Sequence, residues 1–572
     1  MIATCRCKLG SYARTTRPKE PRPSKRSTSN RSAIRSGFAR FIFTLARRVP
    51  MSDSSRLSCI ATGAMGFAVD VVGLGLFKGV DSSKPPFSAP GPVWSDSRSN
   101  ARLRSFSDLA ELFRVAVGLD DRGPMTRRIV LVDLYWTRDK DPRVPLGHAS
   151  LLAALAEQAV ADVRSVITPI NADFDPEALV DRVMAEVGDG RARDVDVAVG
   201  TYVWAEREIQ RLLTRLRERG FTGRIILGGP QISYADRGVA RLYPQADVFV
   251  RGYGEQAIRQ LAMSPGKPRI PGVVLRGDLI DNVAQAAIDL EALPSPWLGG
   301  QLNIEEQRFI RWETQRGCPY RCSFCQHREA GESMARRSLA DTRVLAEIDL
   351  FCRHGVEDIA ILDPVFNSQR QERHPRAIQI LERFAGHGFR GRLSIQCRPE
   401  LIDDRFLDAC AKLDTRLEFG LQTTQPREWR PIQRGNKLEL VERTFAGCQA
   451  RSINHEVSLI FGLPGQTLAS FESSIQWCLE RRVPVIKAFP LMLLRGTPLE
   501  RDRERWQLRE SADAMPVVVA SSSFGEREWR SMARLSDALR ASEGSHPATI
   551  EQLRRATVRE IDTSRWSPDS VA

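Results

Sequence analysis

Acid is almost missing from the start of this chain. Residues 1–50 hold 13 Lys or Arg against one carboxylate, Glu20, so +12 of the +14 net charge lies there and +2 is left for the rest. A nucleic-acid binder is expected to carry a basic surface on its folded part. The near-neutral remainder offers none, so no nucleic-acid partner is expected. Long uninterrupted apolar runs are lacking too. The nearest approach, residues 57–77 (LSCIATGAMGFAVDVVGLGLF), has the length of a membrane span but carries Asp70 near its middle and several glycines. No membrane partner is expected from it. Cysteine is scarce, 11 in 572 residues, and lacks the even spacing of a disulfide framework. Such usage fits a reducing cytoplasm. What remains has the composition of a globular protein, 42% hydrophobic and 27% charged.

Residues 1–124 do not read as a domain. The stretch RTTRPKEPRPSKRSTSNRSAIRSGFAR is rich in Arg, Ser and Pro and poor in apolar residues, which predicts a disordered basic extension. Its composition is that of a transit peptide or a plain basic tail, or of sequence ahead of the true start.

From Met125 strand-like and helical patterns alternate. RRIVLVDLYW (127–136), VRSVITPI, DVDVAVGTYVW, GRIILGGP and ADVFVRGYGE read as strands. LGHASLLAALAEQA, PEALVDRVMAEV, EIQRLLTRLRERG and QAIRQLA read as the helices between and after them. The expectation for 125–265 is an α/β domain with a doubly wound, flavodoxin- or Rossmann-like parallel sheet. Ligands of such sheets lie beyond the carboxyl ends of the strands, here the loops 136–147, 200–204, 228–233 and 251–255. Residues 266–305, with prolines near both ends, are expected to form an irregular linker. Six further strand–helix units, from RFIRWETQ to PVIKAFPL, predict a partial (β/α)6 barrel over 306–500. The charge-rich residues 501–572 predict a helical C-terminal region, with Trp506 and Trp529 expected in core packing.

Three of the scarce cysteines sit together. Cys318, Cys322 and Cys325 follow the first barrel strand as C-x-x-x-C-x-x-C. Three thiolates are one short of the four that close a structural zinc or a fully ligated cluster. A [4Fe–4S] cluster on three cysteines keeps one iron open for another ligand. His327 as a fourth ligand would instead give a Cys3His zinc site.

The flanking RGCPYRCSFC resembles the loop of the radical SAM family. PLGHASLLAAL, GTYVW, ILGGPQIS and ADVFVRGYGEQA, in that order, resemble the cobalamin-binding domain found ahead of many radical SAM enzymes. The resemblance implies a [4Fe–4S] cluster on the three cysteines, S-adenosyl-L-methionine (SAM) on the open iron with Phe324 near its adenine, and cobalamin against Thr201, Gly228, Gly229, Gly252 and Glu255. SIQCRPELI, FGLQTTQPREWRPIQRGN and VSLIFGLPGQT resemble segments of the branch that includes oxygen-independent coproporphyrinogen oxidase. Carried over by position, Gln396 stands on an acid that meets the SAM amino group and Gln422 on a ribose-binding glutamine. Arg434 stands on the arginine that pairs with the SAM carboxylate, and Ser458 on a ribose-binding aspartate. LDPVFN adds Asp363 and Asn367 as candidates near the amino group, while Asp341 and Glu347 read as solvated helix charges. The D-x-H-x-x-G loop whose histidine binds cobalt is absent. TRDKDPRVPLGH stands in its place and His148 is out of register, which implies the subfamily without a histidine on cobalt.

The reaction this implies is cleavage of SAM to methionine and a 5′-deoxyadenosyl radical. C-methylation of a small-molecule or peptide substrate through methylcobalamin would follow, with a flavodoxin or ferredoxin as electron donor. Two alternatives stand beside it: a radical SAM enzyme without cobalamin, and a non-catalytic Fe–S, SAM-binding or nucleic-acid-binding protein.

Overall fold

The computed structural model describes residues 127–557 except 139, 158–160, 189–193, 265, 267, 279–280, 328–336 and 369–374. The basic extension and the apolar run 57–77 lie outside the described residues. Among the described residues no helix is long and apolar enough to cross a membrane.

The first sheet contains β1 (Arg128–Tyr135), β2 (Asp162–Pro169), β3 (Val195–Gly200), β4 (Arg224–Gly228), β5 (Val248–Val250) and β6 (Val273–Leu275) in the order 2-1-3-4-5-6. The first five are parallel and β6 returns antiparallel on β5. Central β1 buries six consecutive residues, as a strand covered on both faces must. Helices α1 (Leu146–Ala156), α2 (Pro176–Val187), α3 (Glu206–Glu218) and α4 (Gly254–Ala262) cross between strands or follow them. Helix α3 shows why such segments fold as they do. Ile209, Leu212, Leu213 and Leu216 recur at helical spacing and are buried, each stabilising by about 1.5–3 kcal/mol as an upper estimate. Glu206 and Glu208 open this helix and Arg215 and Arg217 close it, matching its dipole. The strand order reverses between β1 and β3, which places a ligand crevice at their carboxyl ends.

The second sheet contains β7 (Phe309–Trp312), β8 (Asp358–Ile361), β9 (Arg392–Cys397), β10 (Asp414–Gln422), β11 (Asn454–Phe461) and β12 (Val485–Pro490) in sequential order, all parallel. Strands β7 and β12 are its two edges, so the barrel is open along one side. Helices α5 (Asp341–Arg353), α6 (Pro375–Gly386), α7 (Asp404–Cys410), α8 (Leu438–Ala450) and α9 (Leu468–Glu480) connect the strands.

Three expectations are corrected. Residues 266–305 are not irregular throughout: they supply β6, bridge Gly252 through Ala286, and bury Ile288, Leu290, Leu293, Trp297 and Leu302 in the barrel core. The region after 500 is not wholly helical. Arg509–Glu510 pairs with Val518–Ala520 before α10 (Glu526–Ala541) and α11 (Ile550–Thr557), and Trp506 and Trp529 pack against the barrel core. Glu347 is not a solvated charge. It is fully buried on α5, where it accepts from Trp312 Nε1 at 2.6 Å, Arg343 Nε at 2.9 Å and the Ser295 hydroxyl. Its arginine lies one helical turn earlier, so the charge is compensated where it is buried. Asp341 is exposed as expected and meets Arg376 at 2.6 Å.

Candidate active site at the cysteine loop

The chain leaves β7 and bends sharply towards the cysteines. Asp363, at the end of β8, makes the bend. Its buried carboxylate accepts from Thr314 N at 2.7 Å, Thr314 Oγ1 at 2.5 Å and Gln315 N at 3.1 Å. Burial raises its pKa to about 6 against the lowering effect of those donors. Asn367 is committed as well, bonding the Arg398 backbone in both directions at 2.8 and 2.9 Å. These two residues, read from LDPVFN as candidates near the SAM amino group, hold the strand ends in place through these bonds.

The loop itself is pinned on three sides. Ser323 donates to Pro431 O at 2.8 Å and, through its backbone N–H, to Ile432 O at 3.0 Å. Leu499 N donates to Ser323 O at 3.0 Å and the Gln326 amide to Arg495 O at 2.7 Å. From the front domain, the Tyr234 hydroxyl donates to Gln326 O. Cys318, Cys322 and Cys325 are buried and none is in a disulfide. Among the described residues no three His, Cys, Asp or Glu side chains gather around one point as a single ion needs. A cluster spaces its thiolates further apart, each on its own iron.

Beside the loop lies a small cavity, open in part to solvent and walled by Cys318, Cys325, His327, Gln396, Glu418 and Arg434 among others. Burial pulls His327 down to about 4, which keeps it neutral. Arg434 is 1% exposed, and its Nε and Nη1 have no hydrogen-bond partner. A buried guanidinium with unmet donors is costly; its site suits an anionic group brought in by a ligand. Gln396 and Glu418 face each other across β9 and β10 in register, and the Gln396 amide donates to the Glu418 carboxylate. Glu418 is raised to about 7, first by burial and then by the charge of Glu456 on β11.

The structure thus brings together Cys318, Cys325, Gln396 and Arg434 of the sequence-derived candidates. Phe324 lies in the core behind the loop rather than on the cavity wall. Gln422 is also off the wall, 1% exposed, at a bulge in β10 and in the left-handed region with φ 70°. That conformation costs a non-glycine residue about 1–2 kcal/mol, and such strain collects at functional sites. Ser458 is in register with Gly420, a wall residue, on the next strand. Sequence reasoning missed Glu418. Its one signal was a charge in the half-buried alternation of TRLEFGLQ.

The front crevice faces the same loop. Thr201, after β3, is fully buried and its Oγ1 has no hydrogen-bond partner. Gly228 has room for a side chain, since an added Cβ would make ordinary contact at 3.8 Å. Gly229 does not: at φ 91°, an added Cβ would lie 2.8 Å from Thr201 O. Gly252, at φ 84°, is likewise filled by backbone, 2.9 Å from Ala286 O. Glu255 opens α4 and pairs with Arg316, two residues before Cys318, at 2.7 Å, while accepting from Ser150 Oγ at 3.0 Å. Gly229, Gly252 and Glu255 therefore have internal roles, whereas the Thr201 hydroxyl and the space beside Gly228 are not used within the chain, although the two residues bond each other through Thr201 N and Gly228 O at 2.8 Å. His148 sits inside α1, bonded to Ser165 Oγ at 2.7 Å through Nε2. Tyr202 stacks on Trp204 at 4.6 Å, and Trp204 Nε1 donates to Leu134 O at 3.0 Å, fixing the floor of the crevice.

Known proteins match this arrangement. Residues 312–478 match the Radical SAM superfamily. The chain is 29% identical over 428 residues to the cobalamin-dependent radical SAM methyltransferase TokK of Streptomyces tokunonensis, covering 70% of this chain and 61% of that protein. It is 30% identical over 370 residues to the 2-(S-pantetheinyl)-carbapenam-3-carboxylate methyltransferase of Streptantibioticus cattleyicolor, covering 59% and 52%. The chain thus spans between half and two thirds of the length of these two relatives. Among solved structures, the radical SAM methyltransferase TsrM from Kitasatospora setae superposes with a TM-score of 0.54 at 18% identity, covering 68% of this chain and 79% of that one. The cobalamin-dependent SAM radical enzyme OxsB superposes with 0.56 at 14% identity, covering 73% and 67%. Both likenesses show a shared fold. Residues 312–478 thus form a Radical SAM domain, and the chain as a whole is similar to cobalamin-dependent radical SAM methyltransferases.

Proposed function

We propose that this protein is a cobalamin-dependent radical SAM enzyme that C-methylates a small molecule. The observation that carries the reading is Arg434. A fully buried guanidinium with unmet donors stands on the same cavity wall as Cys318 and Cys325, where the carboxylate of SAM needs a partner. A [4Fe–4S] cluster would supply the electron that splits SAM and a corrin would carry the methyl group.

The chain's own residues bind and orient. Cys318, Cys322 and Cys325 hold the cluster, and the bonds from Ser323, Gln326 and Leu499 keep their loop from moving. Arg434 takes the SAM carboxylate, and Gln422 and Ser458 flank the ribose. Phe324 backs the loop and excludes water. On the front side, the Thr201 hydroxyl is placed to meet a corrin amide and Gly228 leaves space for the ring. The carbapenam methyltransferase's name supports a small molecule over a peptide as substrate. The electron donor is proposed to be a flavodoxin or ferredoxin. The compartment is proposed to be a reducing cytoplasm, in keeping with scattered cysteines of which none described is in a disulfide.

The test is reductive cleavage. Anaerobic protein with a reductant and SAM should release methionine and 5′-deoxyadenosine, and Cys322→Ala should release neither. No cleavage by the wild type overturns the reading.

A further inference from the structure

The cavity wall holds one buried cation, Arg434, and one carboxylate, Glu418. The charges that face Glu418 are otherwise engaged. Glu456 on β11 is bonded by Lys487 Nζ from β12 at 2.9 and 3.1 Å, with Arg416 Nη1 at 3.8 Å. Lys487 and Arg416 are thus drawn to the deeper carboxylate. Glu418 feels both cations through space, while the side chain that hydrogen-bonds it is the neutral amide of Gln396. Cys318, Cys325 and His327 lie on the same wall.

An α-amino acid presents an ammonium and a carboxylate on one carbon. A cation and an anion on one small cavity wall are the matching pair, and the donor set predicts both directions of bonding. By position Gln396 should have been an acid. Its side chain instead donates to a carboxylate one strand away, in register on β10. Glu418 thus supplies a carboxylate on the wall that Gln396 also lines.

We infer that Glu418 is the residue that accepts the SAM α-amino group, with Gln396 as the positioning residue that aims its carboxylate. This rests on the reading of the cavity as a SAM site. Burial and the Glu456 charge make the Glu418 anion costly; an amino N–H donor brought against it lowers that cost. Gln396 cannot itself fill the role, because its amide supplies only a weaker, neutral acceptor.

The experiment uses the full chain with its cluster reconstituted and two probes, SAM and a SAM analogue lacking the α-amino group. Glu418→Gln preserves shape and should weaken SAM about tenfold or more, the worth of a charge-assisted hydrogen bond. It should leave the affinity of the analogue within about twofold. Arg434→Met should weaken both probes, because both keep the carboxylate. Glu418→Asp, which keeps the charge, should retain part of the preference for SAM and guards against a misfolded glutamine variant. Equal weakening of both probes by Glu418→Gln, or of neither, overturns the assignment and leaves the SAM site standing. Failure of the wild type to bind SAM overturns the site and this inference together.

Discussion

Arg316 Nη1 lies 2.7 Å from Glu255 Oε1, joining the first turn of a front-domain helix to the chain just ahead of Cys318. Glu255 is buried and Arg316 is partly buried, 15% exposed at its side chain, and Arg316 is also held by Glu313 at 2.7 Å. The pair fixes the cysteine loop relative to the crevice in which a corrin would lie.

Removing one partner leaves the other buried and uncompensated. Glu255→Gln should cost about 1–3 kcal/mol, below the usual range for a broken buried pair because Glu313 remains. Urea unfolding of Glu255→Gln, Arg316→Met and the double variant should give a double variant clearly less costly than the sum of the singles. Strict additivity would show that the two residues are not coupled.

The two adjacent glycines separate fold from ligand. Gly229→Ala forces a Cβ against the Thr201 backbone at positive φ and should cost at least about 2 kcal/mol. Gly228→Ala has room and should stay within about 0.5 kcal/mol of wild type. Its effect should appear instead in weaker corrin retention on gel filtration. A Gly228→Ala protein that retains corrin fully would remove Gly228 from the site.

Arg434 should show opposite effects on stability and binding. Arg434→Met removes buried unmet donors, so the melting temperature of ligand-depleted protein should hold or rise. Equilibrium dialysis should show SAM binding weakened about tenfold or more. A variant that loses stability and keeps SAM binding would make Arg434 a structural residue.

Asp133 gives the front domain a pH dependence of known sign. Burial raises its pKa to about 7, while burial lowers His148, whose Nδ1 is 3.9 Å away, to about 4. With its pKa above the unfolded value, Asp133 contributes stability that is fully present below the unfolded carboxylate pKa and lost as pH rises to about 7. His148, lowered, does the reverse: stability is lost as pH falls from about 6.5 towards 4. Asp133→Asn should therefore be more stable than wild type at pH 8, by about 1–3 kcal/mol, and the gap should close only as pH falls to about 4. Denaturant unfolding at the two pH values reads this directly; a constant gap would contradict it.

Much of this was legible in the sequence, for identifiable reasons. Parallel strands covered on both faces are continuous apolar runs, so IVLVDL and RIILG stand out, and α3 shows its spacing plainly. The cysteine loop was legible because three thiolates at that spacing serve few other purposes. Glu347 was not legible, because Trp312 and Ser295 reach it from distant segments. The same holds for Asp363, whose partners come from the strand end on β7. Glu418 stayed hidden in an ordinary alternation until the register with Gln396 turned it to the cavity wall. The β6 strand was too short to show a pattern, and it exists because β5 offered an edge.

The most direct measurement is an absorbance spectrum of the anaerobically purified chain, reconstituted with iron, sulfide and hydroxocobalamin and passed through gel filtration. The account predicts that cluster and corrin bands elute together with the protein. A cluster without corrin would contradict the methyltransferase reading and leave a radical SAM enzyme whose front sheet serves another purpose.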